Sequence, residues 1–306
     1  MLNSSDYPAL TALAAVLQNG SFEGAAERLS VTPSAISQRI KAFEERLGSV
    51  LVIRGTPCVG TETGRRLARH MEEVGLLERQ LIRDLGKTEN AAVSVPIAVN
   101  ADSLATWFCS AMAPVSGMLF QLQIDDQDHS ADWLKRGEVM AAVSSRDTPV
   151  SGCDLMPLGA LRYLPVATPE FVAQHFPEGL TPEAFARAPS LIYDEKDRLQ
   201  DTWAAHQAGR RVSLPAHRIP STHGFVDAAL AGLGWGLNPL ALLQPHLDSG
   251  RLIALSPEPW DIPLYWHISR LSAPRLTDLT DAVKRAAKTH LVQKTPPEKT
   301  GLSQFI

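Results

Sequence analysis

Apolar residues in the first sixty positions recur three and four apart, and the gaps between these runs carry helix-capping residues. Leu10, Leu13, Ala14 and Leu17 share one face of a helix that Ser5 or Asp6 can cap and that Asn19-Gly20 ends. Ser21 opens a second helix, Phe22 to Leu29, whose Ala25-Ala26 pair lets a neighbouring helix come close. Thr32 caps a third, with Pro33 at its first position, where a missing N–H costs nothing. On that third helix Ile36, Ile40, Phe43 and Leu47 fall on one face and are expected in the core. Ser34, Gln38 and Lys41 point the opposite way, with Ser37 on the flank. Val50 to Arg54, a turn at Gly55-Thr56-Pro57 and Thr61 to Gly64 read as a short hairpin. One long amphipathic helix follows from Thr63 to about Lys87, with Leu67, Met71, Val74, Leu77, Leu81 and Leu85 along a stripe.

From Val93 the period changes. Val95 to Val99, Leu119 to Ile124, Val139 to Val143, Leu164 to Ala167, Ser190 to Tyr193, Gly234 to Leu237 and Leu264 to Ile268 read as strands. Helices are expected between them at 103–113, 130–136, 198–207 and 222–232. Such alternation predicts mostly parallel sheets with helices on both faces. Ligands in folds of this kind bind beyond the carboxyl ends of strands, often between two lobes. The cleft candidates are therefore the residues at strand ends and helix starts. Asn100, Asp102 and Ser103 follow the first strand, Asp125 and Asp126 the second, and Ser144 the third. Asp194 closes a later strand, and Ser221 and Thr222 open a helix. Carboxylates converging with a helix start, whose free N–H groups favour an anion, would complement a zwitterion with an extra cationic side chain. The blander alternative for each residue is an ordinary cap or an exposed strand end.

Composition changes this picture mainly by exclusion. Of 306 residues, 44% are hydrophobic and 20% charged, ordinary for a folded globular chain. No apolar run approaches the roughly 20 residues that span a bilayer, and no secretory signal is expected at the N-terminus. Cys58, Cys109 and Cys153 are few and far apart, as expected of reduced thiols in a cytoplasm, and no histidine stands at metal-ligand spacing to them. Net charge is −4, and the first 66 residues hold seven Lys/Arg against six Asp/Glu, so bulk charge does not mark a nucleic-acid binder. The case for one rests on local pattern.

Short polar side chains with a Gln and a Lys on an exposed helix face suit a major groove about 12 Å wide. On a single helix such a face is more often merely solvated. The assembly of helix, turn, capped helix and wing reverses that balance, with Arg54 placed to reach the DNA backbone or a minor groove. The stretch from Phe22-Glu23-Gly24-Ala25-Ala26 through Thr32 to Ile40, Phe43-Glu44 and Leu47-Gly48 resembles the LysR-type transcriptional regulators. This resemblance implies DNA contacts from Pro33, Ser34, Ser37, Gln38 and Arg54. Thr32, Arg39 and Lys41 complete the candidate DNA-binding set, within a helix-turn-helix at about 21–40.

Further segments, Asn100 to Trp107, Arg136 to Val139, Leu158 to Leu161 and Leu264 to His267, resemble the ArgP/LysG branch of that family. That branch implies an effector that is L-lysine or L-arginine and activation of a gene for amino-acid export; a different small metabolite is the alternative. Dimers are expected through the long helix, setting two recognition helices roughly 34 Å apart on near-palindromic double-stranded DNA. The resemblance adds tetramers. RNA polymerase is a further expected partner, while no cofactor, metal or membrane is.

The expected fold is α/β. A winged helix-turn-helix occupies 1–62 and a linker helix 63–90. A bilobed effector domain like a periplasmic binding protein occupies 91–293, with lobe 1 at 91–161 and 268–293 and lobe 2 at 162–267. Residues 294–306 are expected to form a flexible tail. An enzyme is the first rival, but no nucleophile elbow or phosphate loop is present. Gly232-Leu233-Gly234-Trp235-Gly236 does not sit between strand and helix, so tight packing accounts for it better than a dinucleotide. His223 and His267, near element ends, are read as structural. A solute-binding transport protein is the second rival, and the N-terminal unit argues against it.

Overall fold

A computed structural model describes residues 4–84, 92–125, 133–134 and 138–293. Asp126, Leu85, most of the expected 130–136 helix and the 294–306 tail lie outside the described residues, as does the Asp125 side chain.

The N-terminal unit is built from α1 (Tyr7–Asn19), α2 (Phe22–Leu29) and α3 (Pro33–Leu47), a two-stranded wing of β1 (Val52–Ile53) and β2 (Val59–Gly60), and α4 (Glu62–Asp84). Its caps follow the chemistry of the sequence. Ser21 accepts from the Gly24 N–H at 3.0 Å, Thr32 from the Ala35 N–H at 3.2 Å, and Gly20 and Gly48 close α1 and α3 in the left-handed region. Asp6 is the exception. It makes no side-chain cap; its buried carboxylate turns instead to Arg46 at the far end of α3, because an ion pair there offsets the burial. Leu10, Leu13, Ala25, Ala26, Ile36, Ile40 and Phe43 form the core. Leu47 does not join them: it lies in the last turn of α3 and stays 39% exposed. Glu44 ties α3 to the wing, its Oε1 accepting the N–H groups of Leu51 at 2.7 Å and Val52 at 3.2 Å. Along α4, Leu67 and Met71 pack on this core, whereas Leu77 is 50% exposed.

The C-terminal unit hangs on two long strands. β6 (Cys153–Ala167) and β11 (Trp260–Ser269) pair antiparallel along their length, with a register shift between Leu264 and Tyr265. They run through a seven-stranded sheet ordered β10 (Ile253–Ala254), β6, β11, β5 (Ala141–Ser144), β3 (Val93–Asn100) and β4 (Met118–Asp125), to which β9 (Gly236–Pro239) adds on β6. Lobe 1 holds β3 (Val93–Asn100), β4 (Met118–Asp125) and β5 (Ala141–Ser144). Over them lie α5 (101–112, with a π-helical turn at Leu104–Phe108) and, later in the chain, a helix at Thr277–His290. Lobe 2 follows β6 with α6 (Pro169–His175), α7 (Pro182–Phe185), β7 (Ser190–Ile192), α8 (Leu199–Ala208), β8 (Ala216–Arg218) and α9 (Thr222–Leu230). It closes with β9 (Gly236–Pro239), α10 (Leu240–Asp248) and β10 (Ile253–Ala254), leaving Thr277–His290 as α11.

The sheet is mixed rather than mostly parallel. β3 is parallel to β4 and β5, and β7 to β8, but β9, β10 and β11 all run antiparallel to β6. The reason is topological: two strands that carry the chain out and back between lobes must oppose each other. Trp203, Trp235 and Phe185 cluster in lobe 2 with ring centroids 5.3–5.8 Å apart. Nearby, Gly236 lets Phe225 close on β9, since a Cβ there would stand 2.7 Å from the Phe225 ring.

Candidate functional site

The candidate DNA-reading face comes first. Thr32, Pro33, Ser34, Gln38, Arg39 and Lys41 are exposed on α3, and Ser37 is half-buried beside them. Burying Ile36, Ile40 and Phe43 forces this outcome, because positions three and four apart share a helix face and the rest must turn outward. Lys41 sits 3.8 Å from Glu45 in an exposed i,i+4 pair. Arg54 is held in place: its guanidinium lies 5.0 Å over the Phe22 ring and donates to Ser37 Oγ at 3.2 Å. The wing cation and the recognition helix thus form one surface.

The second site is a cleft between the lobes, open to solvent at its mouth. Asn100, Ala101 and Asp102 line it from lobe 1; Tyr193, Asp194, Asp197, Gln200, Thr222 and Asn238 line it from lobe 2. Asp102, in the first turn of α5, reaches across. Its Oδ1 accepts from the Thr222 hydroxyl at 2.7 Å and its Oδ2 from the Tyr163 hydroxyl on β6 at 2.7 Å. Burial pushes the Asp102 carboxyl above the usual range; the two hydroxyls pull it back in part, and the charge of Asp197 adds to the rise. Asp197 is likewise raised by burial, against hydrogen bonds from the Tyr193 and Leu199 N–H groups and from Gln200 Nε2. The Tyr193 phenol is pushed up by burial and by the charges of Asp102 and Asp194.

Around these carboxylates the cleft is rich in acceptors. The side-chain oxygens of Asn100, Gln200 and Asn238 are buried without a hydrogen-bond partner, on residues only 3%, 1% and 0% exposed. No Lys, Arg or His is among the lining residues.

Of the cleft candidates read from sequence, Asn100, Asp102, Asp194 and Thr222 come together here. Asp194 also caps its own loop, its Oδ1 accepting from the Lys196 and Asp197 N–H groups. Three others do not line the cleft. Ser103 is fully buried behind Asp102, its hydroxyl without a partner. Ser144 ends β5 and accepts the Arg146 N–H at 3.1 Å, a local turn bond. Ser221 is an exposed helix cap, accepting the Gly224 N–H at 3.1 Å. Asp125 pairs by backbone register with Asn100, so its strand end faces the region. Tyr163, Tyr193, Asp197, Gln200 and Asn238 are absent from the sequence-based set. His223 is exposed, and His267 is buried in β11 with Nε2 3.0 Å from the Arg146 carbonyl; burial lowers its pKa.

A winged helix-turn-helix with its reading face open, joined by one helix to a two-lobed domain with a polar cleft, defines a ligand-responsive DNA-binding regulator. The model of the bacterial regulatory helix-turn-helix protein, lysR family, matches residues 8–65, and that of the LysR substrate binding domain matches 115–292. The chain belongs to the LysR family of transcriptional regulators. It is 45% identical over 285 residues to the regulator LysG of Mycobacterium tuberculosis, covering 92% of this chain and 93% of that protein. It is 40% identical over 298 residues to ArgP of Pseudomonas fluorescens, covering 95% and 99%. Among solved structures, ArgP from Mycobacterium tuberculosis superposes with a TM-score of 0.79 at 42% identity, covering 96% of this chain and all of that one. Full-length LysG from Corynebacterium glutamicum, with bound effector Arg, gives 0.65 at 35% identity, covering 94% and 99%.

Proposed function

We propose that this regulator senses a basic amino acid, L-lysine or L-arginine, in the interlobe cleft and answers by changing how its recognition helices sit on an operator. The observation that carries the effector is the cleft itself: three carboxylates and three buried free amide oxygens, with no basic residue lining it among the described residues. Buried acceptors without donors cost free energy, and a ligand that brings ammonium or guanidinium N–H groups removes that cost. The free N–H groups at the start of α5 suit the ligand's carboxylate. The arginine carried by the similar LysG structure supports the same reading.

On DNA, Thr32, Pro33, Ser34, Ser37, Gln38, Arg39, Lys41 and Arg54 form the contact set. Leu77, exposed on α4, pairs with its counterpart in a second subunit, and the dimers associate into tetramers. The assembly binds near-palindromic double-stranded DNA in the cytoplasm, engages RNA polymerase and activates a gene for export of the sensed amino acid. It performs no chemistry on its ligand. A ligand shifts such a system only as far as its affinity differs between the two arrangements.

Titration calorimetry of the purified full-length chain tests the effector. Lysine or arginine should release heat, while citrulline, which keeps the shape of arginine without its charge, should bind at least about tenfold more weakly. Heat from neither lysine nor arginine, alongside a clear signal from another metabolite, overturns the assignment.

A further inference from the structure

Asp102 holds an unusual position. It stands in lobe 1 yet is bonded to Thr222, 120 residues away in lobe 2, and to Tyr163 on the strand that joins the lobes. Its partners are neutral hydroxyls, although the group is a desolvated carboxylate, and no basic residue lines the cleft around it among the described residues. Neutral donors satisfy a buried carboxylate less well than a cation does, since charge-assisted hydrogen bonds are roughly twice as strong. The buried free oxygens of Asn100, Gln200 and Asn238 lie in the same cleft and, like the Asp102 carboxylate, can only accept. In this arrangement the two lobes are held together across the cleft by the carboxylate proposed to receive the ligand's cation.

We propose that Asp102 is a cross-cleft latch: in the ligand-free protein it ties lobe 1 to Thr222, and the cationic group of the effector displaces Thr222 from it. The inference rests on the reading of the effector as a basic amino acid. It adds that the effector competes with a bond internal to the protein, so the affinity measured is the intrinsic affinity less the cost of unlatching. Thr222 is then a brake on binding and not a ligand contact.

Two measurements on the full-length chain decide it. In the absence of any ligand, Thr222→Val, which keeps the side-chain shape and removes the hydroxyl, should speed amide hydrogen exchange in the first turns of both α5 and α9. Thr222→Ser, which keeps the hydroxyl, should exchange as the wild type does. With arginine or lysine in the calorimeter, Thr222→Val should bind about fivefold tighter than wild type, the change that one net hydrogen bond of about 1 kcal/mol produces. Asp102→Asn, which removes the charge, should lose binding by at least about tenfold. Unchanged exchange in Thr222→Val, or weaker or unchanged binding in that variant, overturns the latch. So does full binding by Asp102→Asn. A wild type that binds neither amino acid overturns the effector reading instead, and the latch between the lobes is then judged by exchange alone.

Discussion

Gln38 and Asp102 illustrate how differently two single residues reveal themselves. Gln38 is legible in the sequence because a helix has a fixed period: once Ile36, Ile40 and Phe43 are buried, Gln38 has to face out. Replacing it with Ala should weaken specific operator binding by about 1–3 kcal/mol in a gel-shift titration, if it makes a paired contact to a base. Unchanged affinity in both Gln38→Ala and Ser34→Ala would move the reading face elsewhere. Asp102 was legible only as a strand-end carboxylate. Its hydroxyl partners, and the convergence of Asp197, Gln200 and Asn238 on it, arise from lobe-to-lobe packing that no local spacing encodes. Its raised carboxyl pKa makes a separate prediction. A carboxyl that titrates higher when folded gives up stability as pH rises from its unfolded toward its folded pKa, because the charge is better solvated in the unfolded chain. Asp102→Asn never carries that charge. Ligand-free Asp102→Asn should therefore melt above wild type at neutral pH, and the two should converge below the ordinary carboxylate range. A variant melting at or below wild type at neutral pH would contradict a desolvated charge there.

Among elements, those with a strong local signal match their expected bounds closely. α2 spans Phe22–Leu29 as read, and α3 begins at the capped Pro33. Strand β6 shows where such signals fail: only Leu164 to Ala167 was legible of a strand that begins at Cys153. Pro157 and Gly159 interrupt its pattern, and a strand crossing two lobes changes its buried face on the way, so period-two alternation breaks down. Helix α11 is missing from the expected elements although Leu279, Val283 and Ala286 fall at helical spacing and are buried. The junction of wing and α4 carries a sharper test. A Cβ on Gly64 would stand 2.0 Å from the Leu51 carbonyl oxygen, a backbone atom that cannot swing aside. Gly64→Ala should cost about 1–3 kcal/mol or more locally, read as amide exchange in α1 to α3 faster by about tenfold or more. Equal exchange in the two proteins would show that α4 is free to shift off the wing.

Across the whole molecule, the sensing lobes touch the DNA-binding unit through α4. Arg275, in the turn before α11, donates from Nη1 to the Glu73 carbonyl at 3.2 Å, and Arg65 stands 3.8 Å from Glu138. If that contact relays the ligand signal, Arg275→Ala should bind effector within about twofold of wild type while losing most of the effector-dependent change in its DNase footprint. An intact footprint response would place the relay elsewhere. The switch from helical to strand-and-helix pattern at Val93 was legible because the hydrophobic period changes there; which lobe meets α4 was not, since it depends on contacts some 200 residues apart. The β6–β11 pair has its own mechanical meaning. Both lobes are mounted on a single hydrogen-bonded ribbon, clamped near one end of the pairing by the two-pronged Arg162–Asp261 bond at 2.8 and 2.9 Å. Such a mount does not swing like a door on a slack joint; it can only be wrung, and it springs back. The sensor should therefore work through small torsions that strain a stiff ribbon, and its restoring force is written into the backbone ladder itself.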